Sequence, residues 1–392
     1  MSYSQDEKVR AAAWKQRTGA LPAEAKVPAC YIDQNGNSKA RPVEFCLPAP
    51  YAALSLLPEV RAQALVLFAG LGIPWHAGVD GGPSNHLVSS QVQCVNALGQ
   101  MVSDPERIRR AFGHVLGIDE VLRIEPGRYL TFEYIGPADF FGEVPGGDRI
   151  RGAHCTSVDA AFLHRAVDGV IELVLVEWKY TESYRVRKPS PAKDAVRLNR
   201  YGQAVNDPTG PIRGELLPFE LLLDEPIYQL VRQQLLAHAL EQAGAEGAGR
   251  VRVVHVLSPD NGAYQKSIAR PEQLALGGTV AEIWHKLLRH PDRFVSVDSK
   301  LFLDPEITSR EYVLRHARDV VHDQDELLSA FDLARSGDLE DILCTDHEYD
   351  GNVRVDQHGV ELIFGREGTR FSYPFTITEL RELVEELAAG QG

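Results

Sequence analysis

The spacing of apolar residues changes period several times along this chain, and the changes mark its elements. Residues 4–17 combine mixed charge with helical spacing. PEVRAQALVLFAG (58–70) predicts a helix opened by Pro58, whose fixed φ and missing N–H suit a first turn. Further helices are predicted near 88–101 and 104–116. The period then shortens. YLTFEYI (129–135) is rich in β-branched and aromatic residues, SVDAAFLHR (157–165) follows, and VIELVLVEWKY (170–180) is the strongest strand in the chain. Asp168-Gly169 between the last two predicts a hairpin turn. FELLLD (219–224) predicts a further short strand. A helix over 226–243 is opened by Pro226 and stopped by Gly244, and RVVHVLS (252–258) is an apolar strand. Beyond these the pattern predicts a helix at 279–290, a strand near 293–297, and helices at 308–318 and 325–334. Short strands at 342–348, 353–356 and 360–365 and a helix at 376–388 close the series. The segment 20–50, rich in proline and turn residues, is expected to wrap the body, and 185–213 reads as basic and irregular.

This order of helix, strand, hairpin pair, helix and strand predicts a mixed α/β core with a central sheet flanked by helices. The expected divisions are an N-terminal helical and wrapping region (1–87), a core (88–260), a helical core extension (261–324) and a small α+β appendage (325–392). With 392 residues, 44% of them hydrophobic, the chain can bury a substantial core. The polar N-terminus lacks the apolar centre of a signal peptide. The apolar run near 65–75 is too short and too broken by Gly and Pro to span a bilayer, so no membrane is expected. Five scattered cysteines without a CxxC pair fit a reduced, cytoplasmic chain. A net charge of −14 opposes binding of nucleic acid over the whole surface but leaves room for a local basic cleft. Neither GxxxxGK[ST] nor GxGxxG occurs, so no nucleotide triphosphate is expected.

Strand geometry puts Ile171, Leu173, Leu175, Glu177 and Lys179 on one face of 170–180. A two-residue turn at Asp168-Gly169 would set Asp159 opposite Trp178, between Glu177 and Lys179 in height. Two carboxylates and an ammonium group then surround one point. Phosphodiester hydrolysis uses such a grouping: Asp159 and Glu177, with the backbone carbonyl of Trp178, suit Mg²⁺, a hard ion that prefers oxygen, and Mn²⁺ is expected to substitute. Lys179 would orient or help deprotonate the attacking water and offset charge at the phosphorus. A lone E-x-K carries little by itself, and on residue chemistry alone an ion pair at a strand end stays open beside the nuclease reading.

The arrangement SVDA (157–160) with VEWK (176–179) resembles the PD-(D/E)xK phosphodiesterase superfamily, and more narrowly a poorly characterised bacterial group of restriction-endonuclease-like proteins. The superfamily resemblance runs over about residues 88–258. The narrower one adds PWHAGVDGGPSNHLVSSQVQCVNAL (74–98) and the YQLVRQQLLAHAL helix. One departure is Val158, where the superfamily often has proline. The resemblance implies a restriction-endonuclease-like core, catalytic Asp159, Glu177 and Lys179, Mg²⁺-dependent cleavage of DNA in restriction or phage defence, and possible homodimers for two-strand cutting. It further implies Gln or Arg from the downstream helix: Gln229, Arg232 and Gln233 are candidates to contact the scissile phosphate or Lys179, with Gln233 as a catalytic candidate.

The segment 184–201 holds Arg185, Arg187, Lys188, Lys193, Arg197 and Arg200 against one acidic residue, Asp194, and is expected, with Arg232, to position a phosphate backbone. Glu133 and Glu106 are candidates for a further metal contact. His76, Asp80 and His86 match no zinc spacing and read as turn chemistry, and His154 and Cys155 read as structural. The competing functions are a non-catalytic relative that binds nucleic acid or protein, and a metal-dependent hydrolase of another substrate.

Overall fold

The computed structural model describes residues 2–185 and 187–317, and the backbone of 350–356, 359–366 and 369–375. It divides into two compact units, Met1–His316 and Ala317–Gly392.

The first unit begins with α1 (Tyr3–Arg17), capped by Ser2 and followed by a hairpin of β1 (Ala29–Ile32) and β2 (Ser38–Val43). The hairpin lies within the segment expected only to wrap the body; β2, SKARPV, is almost wholly exposed and carries no apolar alternation to betray it. Helices α2 (Pro58–Leu71), α3 (Ser90–Leu98) and α4 (Pro105–Leu116) follow. The central sheet consists of β3 (Ile118–Leu122), β4 (Leu130–Tyr134), β5 (Val158–Ala166), β6 (Ile171–Trp178), β7 (Arg250–Leu257) and β8 (Phe294–Asp298). Both β3 and β4 run antiparallel along the same edge of β5, one against Leu163–Ala166 and the other against Val158–Phe162. They act as one interrupted edge strand. β5 and β6 are antiparallel, while β6, β7 and β8 are parallel, so the sheet is mixed.

Burial on both faces explains the continuous apolar run of β6. Val174, Val176 and Trp178 enter one hydrophobic core with α2, α3 and α4, and Leu173 and Leu175 enter the other with α6 (Ile227–Gln242). Truncating a side chain here, as in Leu175→Ala, is expected to cost about 2–5 kcal/mol. Two one-turn helices, α7 (Gly262–Gln265) and α8 (Pro271–Leu274), and α9 (Val280–Leu287), closed by a Thr279/Glu282 capping box, complete that side. α10 (Arg310–His316) packs on α1, where Glu311 accepts from Trp14 Nε1 at 2.6 Å.

Three sequence expectations are corrected. The stretch 185–213 contains a helix, α5 (Pro191–Val205), which was hard to see because only Tyr201 and Val205 on it are buried. Phe219–Leu222 forms a 3₁₀ turn following Pro218, not a strand. The hairpin loop spans 167–169, with Gly169 at φ 83°, and Ala166 N–H bonds Val170 O at 2.9 Å, so the pairing differs by one residue from that of a two-residue turn. Among the described residues no single helix is long and apolar enough to cross a membrane.

The second unit contains a three-stranded antiparallel meander, β9 (Asp350–Asp356), β10 (Gly359–Arg366) and β11 (Thr369–Phe375). The strands expected at 353–356 and 360–365 correspond to the first two. The expected helices at 325–334 and 376–388 and the strand at 342–348 lie outside the described residues.

Candidate active site

The one-residue change in hairpin register matters most at the open end of β5 and β6. The ladder pairs Ala160 with Val176, and continuing it by one residue sets Asp159 across from Glu177 rather than Trp178. Residues directly opposite on an antiparallel pair point to the same side, so the change brings the two carboxylates onto one face. Trp178 N–H donates to Asp159 Oδ2 at 2.7 Å and fixes the end of the pair. On the other side of β5, Phe132 pairs with Ala160 and Tyr134 with Val158, which sets Glu133 beside Asp159. On β7, His255 pairs with Glu177. A row of Glu133, Asp159, Glu177 and His255 therefore crosses four neighbouring strands.

Each member is held differently. Glu133 has φ 48°, a left-handed conformation that a non-glycine residue in a strand adopts only under constraint. Its carboxylate accepts from Gln91 Nε2 and from Ser157 Oγ, both at 3.0 Å, and packs against Gly152. A Cβ on Gly152 would meet Glu133 Cδ at 3.0 Å, and that glycine sits at φ 72°. Glu177 is buried. Lys179 Nζ lies 2.5 Å from its Oε1, Gln229 Nε2 donates to the same oxygen at 2.6 Å, and Gln233 Nε2 donates to Oε2. Gln229 Oε1 in turn accepts from Lys179 Nζ at 2.7 Å. Two glutamines one turn apart on α6 thus clamp the Glu177–Lys179 pair. The back of the strand end is anchored by Trp178, whose indole N–H donates to Gln93 at 2.7 Å and whose ring meets Phe302 edge-on at 4.8 Å.

Charge follows from this packing. Burial and the neighbouring Glu177 and Glu133 carboxylates push Asp159 well above the usual carboxylate range. Burial raises Glu133 as well, against the bonds from Gln91 and Ser157. Burial pulls the Lys179 ammonium down, but the adjacent Glu177 and more distant acidic groups outweigh it, and the net shift is upward. Lys179 is therefore charged at neutral pH as it stands. That fits charge compensation and orientation better than proton abstraction. His255, buried beside Lys179 and hydrogen-bonded to Tyr264 Oη at 3.1 Å, is lowered to about 3 and stays neutral.

The row opens into a cleft of about 580 Å³ that Glu133, Asp159, Glu177, Trp178, Lys179 and Gln229 line from the sheet side. The opposite wall includes Tyr31 and Gln34 of the N-terminal hairpin and Trp75, His76, Ser84 and His86 from the loop before α3. The turn expected there is present: Asp80 and Gly81 have φ 51° and 78°. Yet His76 and His86 face the cleft. Phe68 stacks on Trp75 at 3.9 Å and holds the loop in place. The resemblance of 74–98 to the bacterial group was the signal for this wall.

The other candidates separate. Glu106 pairs with Arg109 on the exposed face of α4, away from the cleft. Gln233 reaches Glu177, not Lys179. The Trp178 carbonyl accepts a long 3.4 Å bond from Ser90 Oγ. Arg187 is tied to Asp194 at 2.6 Å and Asp224 at 3.3 Å, and Arg185 and Lys188 are exposed outside the cleft wall. Lys193, Arg197, Arg200 and Arg232 gather with His154 and Cys155 around a second hollow.

The carboxylates and the carbonyl form an all-oxygen donor set, and Asp159 and Glu133 are raised partly by a neighbouring carboxylate. Both features fit a hard divalent cation. Among the described residues, however, no three His, Cys, Asp or Glu side chains stand close enough together to hold an ion in their present positions.

The sequence model of a family described as Restriction Endonuclease associating with ARP matches residues 8–317. The chain belongs to this family. The match takes in the whole central sheet, the loop 74–91 and both walls of the cleft, so the family's restriction-endonuclease-like mixed α/β core is the frame that carries the carboxylate row. No curated relative and no solved structure matches the chain.

Proposed function

We propose that the protein is a PD-(D/E)xK-type nuclease that hydrolyses phosphodiester bonds of DNA endonucleolytically, in restriction or phage defence. The observation that carries this reading is the meeting of Asp159 and Glu177 on one face of adjacent strands, with Lys179 clamped to Glu177 at the floor of a cleft. Asp159 and Glu177, joined by Glu133, would hold Mg²⁺ or Mn²⁺. When bound, the ion would lower the pKa of a water and offset charge on the scissile phosphate. Gln229 and Gln233 fix the direction of Glu177, and Gln229 also keeps the Lys179 ammonium aimed along the strand end. Lys179, charged and largely out of water, offsets negative charge building on the phosphate oxygens, where a low dielectric strengthens the interaction. Trp75 and His76 on the opposite wall limit how a strand can lie across the row. The association with ARP named in the family's description is a partner expectation for this chain, as is a homodimer for two-strand cutting, both in the cytoplasm.

One observation favours a second reading, a non-catalytic nucleic-acid-binding relative: both Glu177 oxygens already have protein partners. Incubating supercoiled plasmid with purified protein in Mg²⁺, in EDTA and with Lys179→Ala separates the two. The nuclease reading expects nicking or linearisation in Mg²⁺ alone, absent in the variant. Binding of DNA without cleavage under every condition would transfer support to the second reading.

A further inference from the structure

Three basic residues of the segment 184–201 line a hollow outside the carboxylate cleft. Lys193, Arg197 and Arg200 are spaced four and three residues apart on α5, which puts them on one face. With Arg232 of α6 they line a shallow, open hollow of about 630 Å³, together with Tyr201, Tyr228 and His154. On α6, Tyr228 and Arg232 face this hollow while Gln229 and Gln233 hold the Glu177–Lys179 pair, so the two sites share a helix but occupy different sides of it.

Among the described residues Lys193, Arg200 and Arg232 make no ion pair. Arg197 stands 3.9 Å from Asp194, a carboxylate that Arg187 already holds at 2.6 Å. Arg232 Nε is buried with no hydrogen-bond partner. Both guanidiniums lie over the Tyr228 ring, Arg197 at 4.5 Å and Arg232 at 5.3 Å, and this contact sets their positions. Two carboxylates, Glu143 and Glu225, share the wall, so the lining sets four cations against two acids. Glu143 accepts from Thr156 and Tyr201, and Glu225 accepts from Gln229 N–H at 2.9 Å; burial raises the Glu225 carboxyl against the pull of Arg232 and Arg197. In a chain of net charge −14, this local excess of positive charge around a concavity favours an anion there.

We propose that this hollow is a phosphate-binding site, separate from the carboxylate cleft. Guanidinium forks bind phosphate oxygens in pairs, and the ammonium of Lys193 adds a mobile third contact. The phosphate belongs either to a nucleic-acid strand whose other part lies in the cleft or to a free nucleotide. Only the first source rests on the nuclease reading; the site itself does not. The segment Gly152–Cys155 joins the two places, since Gly152 packs on Glu133 and His154, strained at φ 60°, lines the hollow.

Isothermal titration in EDTA, where no turnover occurs, tests this with inorganic phosphate, thymidine, thymidine 5′-monophosphate, and one oligonucleotide with and without a 5′-phosphate. Wild type and Lys179→Ala are expected to bind phosphate alike. Arg200→Gln and Lys193→Gln, both on the surface of α5 and expected to fold, should weaken it about tenfold, as should Arg232→Gln. Thymidine should not bind. Tighter binding of the phosphorylated oligonucleotide than of the mononucleotide would identify the strand as the source, and equal or tighter binding of the mononucleotide would identify the free nucleotide. No phosphate binding by wild type, binding unchanged in Arg200→Gln and Arg232→Gln, or binding lost in Lys179→Ala would overturn the proposal. Phosphate binding in a protein that never cuts DNA would leave this site standing and remove the nuclease reading instead.

Discussion

Strand β6 carries two buried glutamates five residues apart, and their surroundings are opposites. Glu172 has Arg252 Nε at 3.0 Å, Arg250 Nε at 3.5 Å and His164 Nε2 at 3.8 Å. One carboxylate there faces two guanidiniums, and it sits wholly buried. At the other end Glu177, Asp159 and Glu133 share a single ammonium, Lys179, and an open cleft. The same residue type, on the same strand, is neutralised at one end and left with an excess of negative charge at the other. Burial of a paired charge reads as structure, whereas Asp159 and Glu133, raised by burial and by neighbouring carboxylates beside a cleft, fit the cation site proposed above.

Substitutions at the two ends should therefore separate stability from activity. The largest effect is expected from Lys179→Ala and Asp159→Asn: a fall of about 10²–10³-fold or more in DNA cleavage per folded molecule, with Lys179→Ala also losing stability because it leaves the buried Glu177 unpaired. Asp159→Asn should in addition raise stability at neutral pH. The Asp159 carboxyl is raised in the folded state, so its unfavourable contribution is absent below the ordinary value of 3.8 and grows as pH rises above it. Thermal unfolding at pH 7 and near pH 3 measures this, and a lower melting temperature for the variant at pH 7 would contradict it. Glu172→Gln should do the reverse, costing roughly 3–5 kcal/mol in urea unfolding while leaving cleavage per folded molecule intact.

Smaller effects sharpen the picture. Gly152→Ala, at positive φ and against Glu133, is expected to reduce cleavage about tenfold by displacing that carboxylate, and Mg²⁺ titration of activity should show a raised half-saturation. Unchanged cleavage would take Glu133 out of the site. His255, lowered to about 3 in the fold from an ordinary 6.5, makes stability fall as pH drops through that window, because the unfolded chain then binds the extra proton. Between pH 7 and pH 5 this amounts to about 2 kcal/mol, and His255→Gln should remove that share of the slope in urea titrations.

Much of the core was legible from period alone. The apolar run of β6, the hairpin partner β5, the Pro226 helix and the apolar β7 all stand within a few residues of their expected places. The elements that stayed hidden are those whose residues face water: the polar hairpin strand β2, and α5, with two buried side chains to mark it. The Asp159–Glu177–Lys179 grouping was legible as residue types, yet its geometry depended on one residue of loop length, since the three-residue turn at 167–169 brings Asp159 opposite Glu177. The clamp of Glu177 by both glutamines, the far wall from 74–91, and the division of the basic segment into an Arg187 latch and a separate hollow are tertiary facts. No spacing along the chain encodes them.

The contrast between the two ends of β6 is tested most directly by one plasmid assay in Mg²⁺ comparing wild type, Lys179→Ala and Glu172→Gln at equal folded concentration. The account expects cleavage by wild type and Glu172→Gln and none by Lys179→Ala. Cleavage that survives loss of Lys179, or disappears with Glu172 while the protein remains folded, would place the chemistry elsewhere.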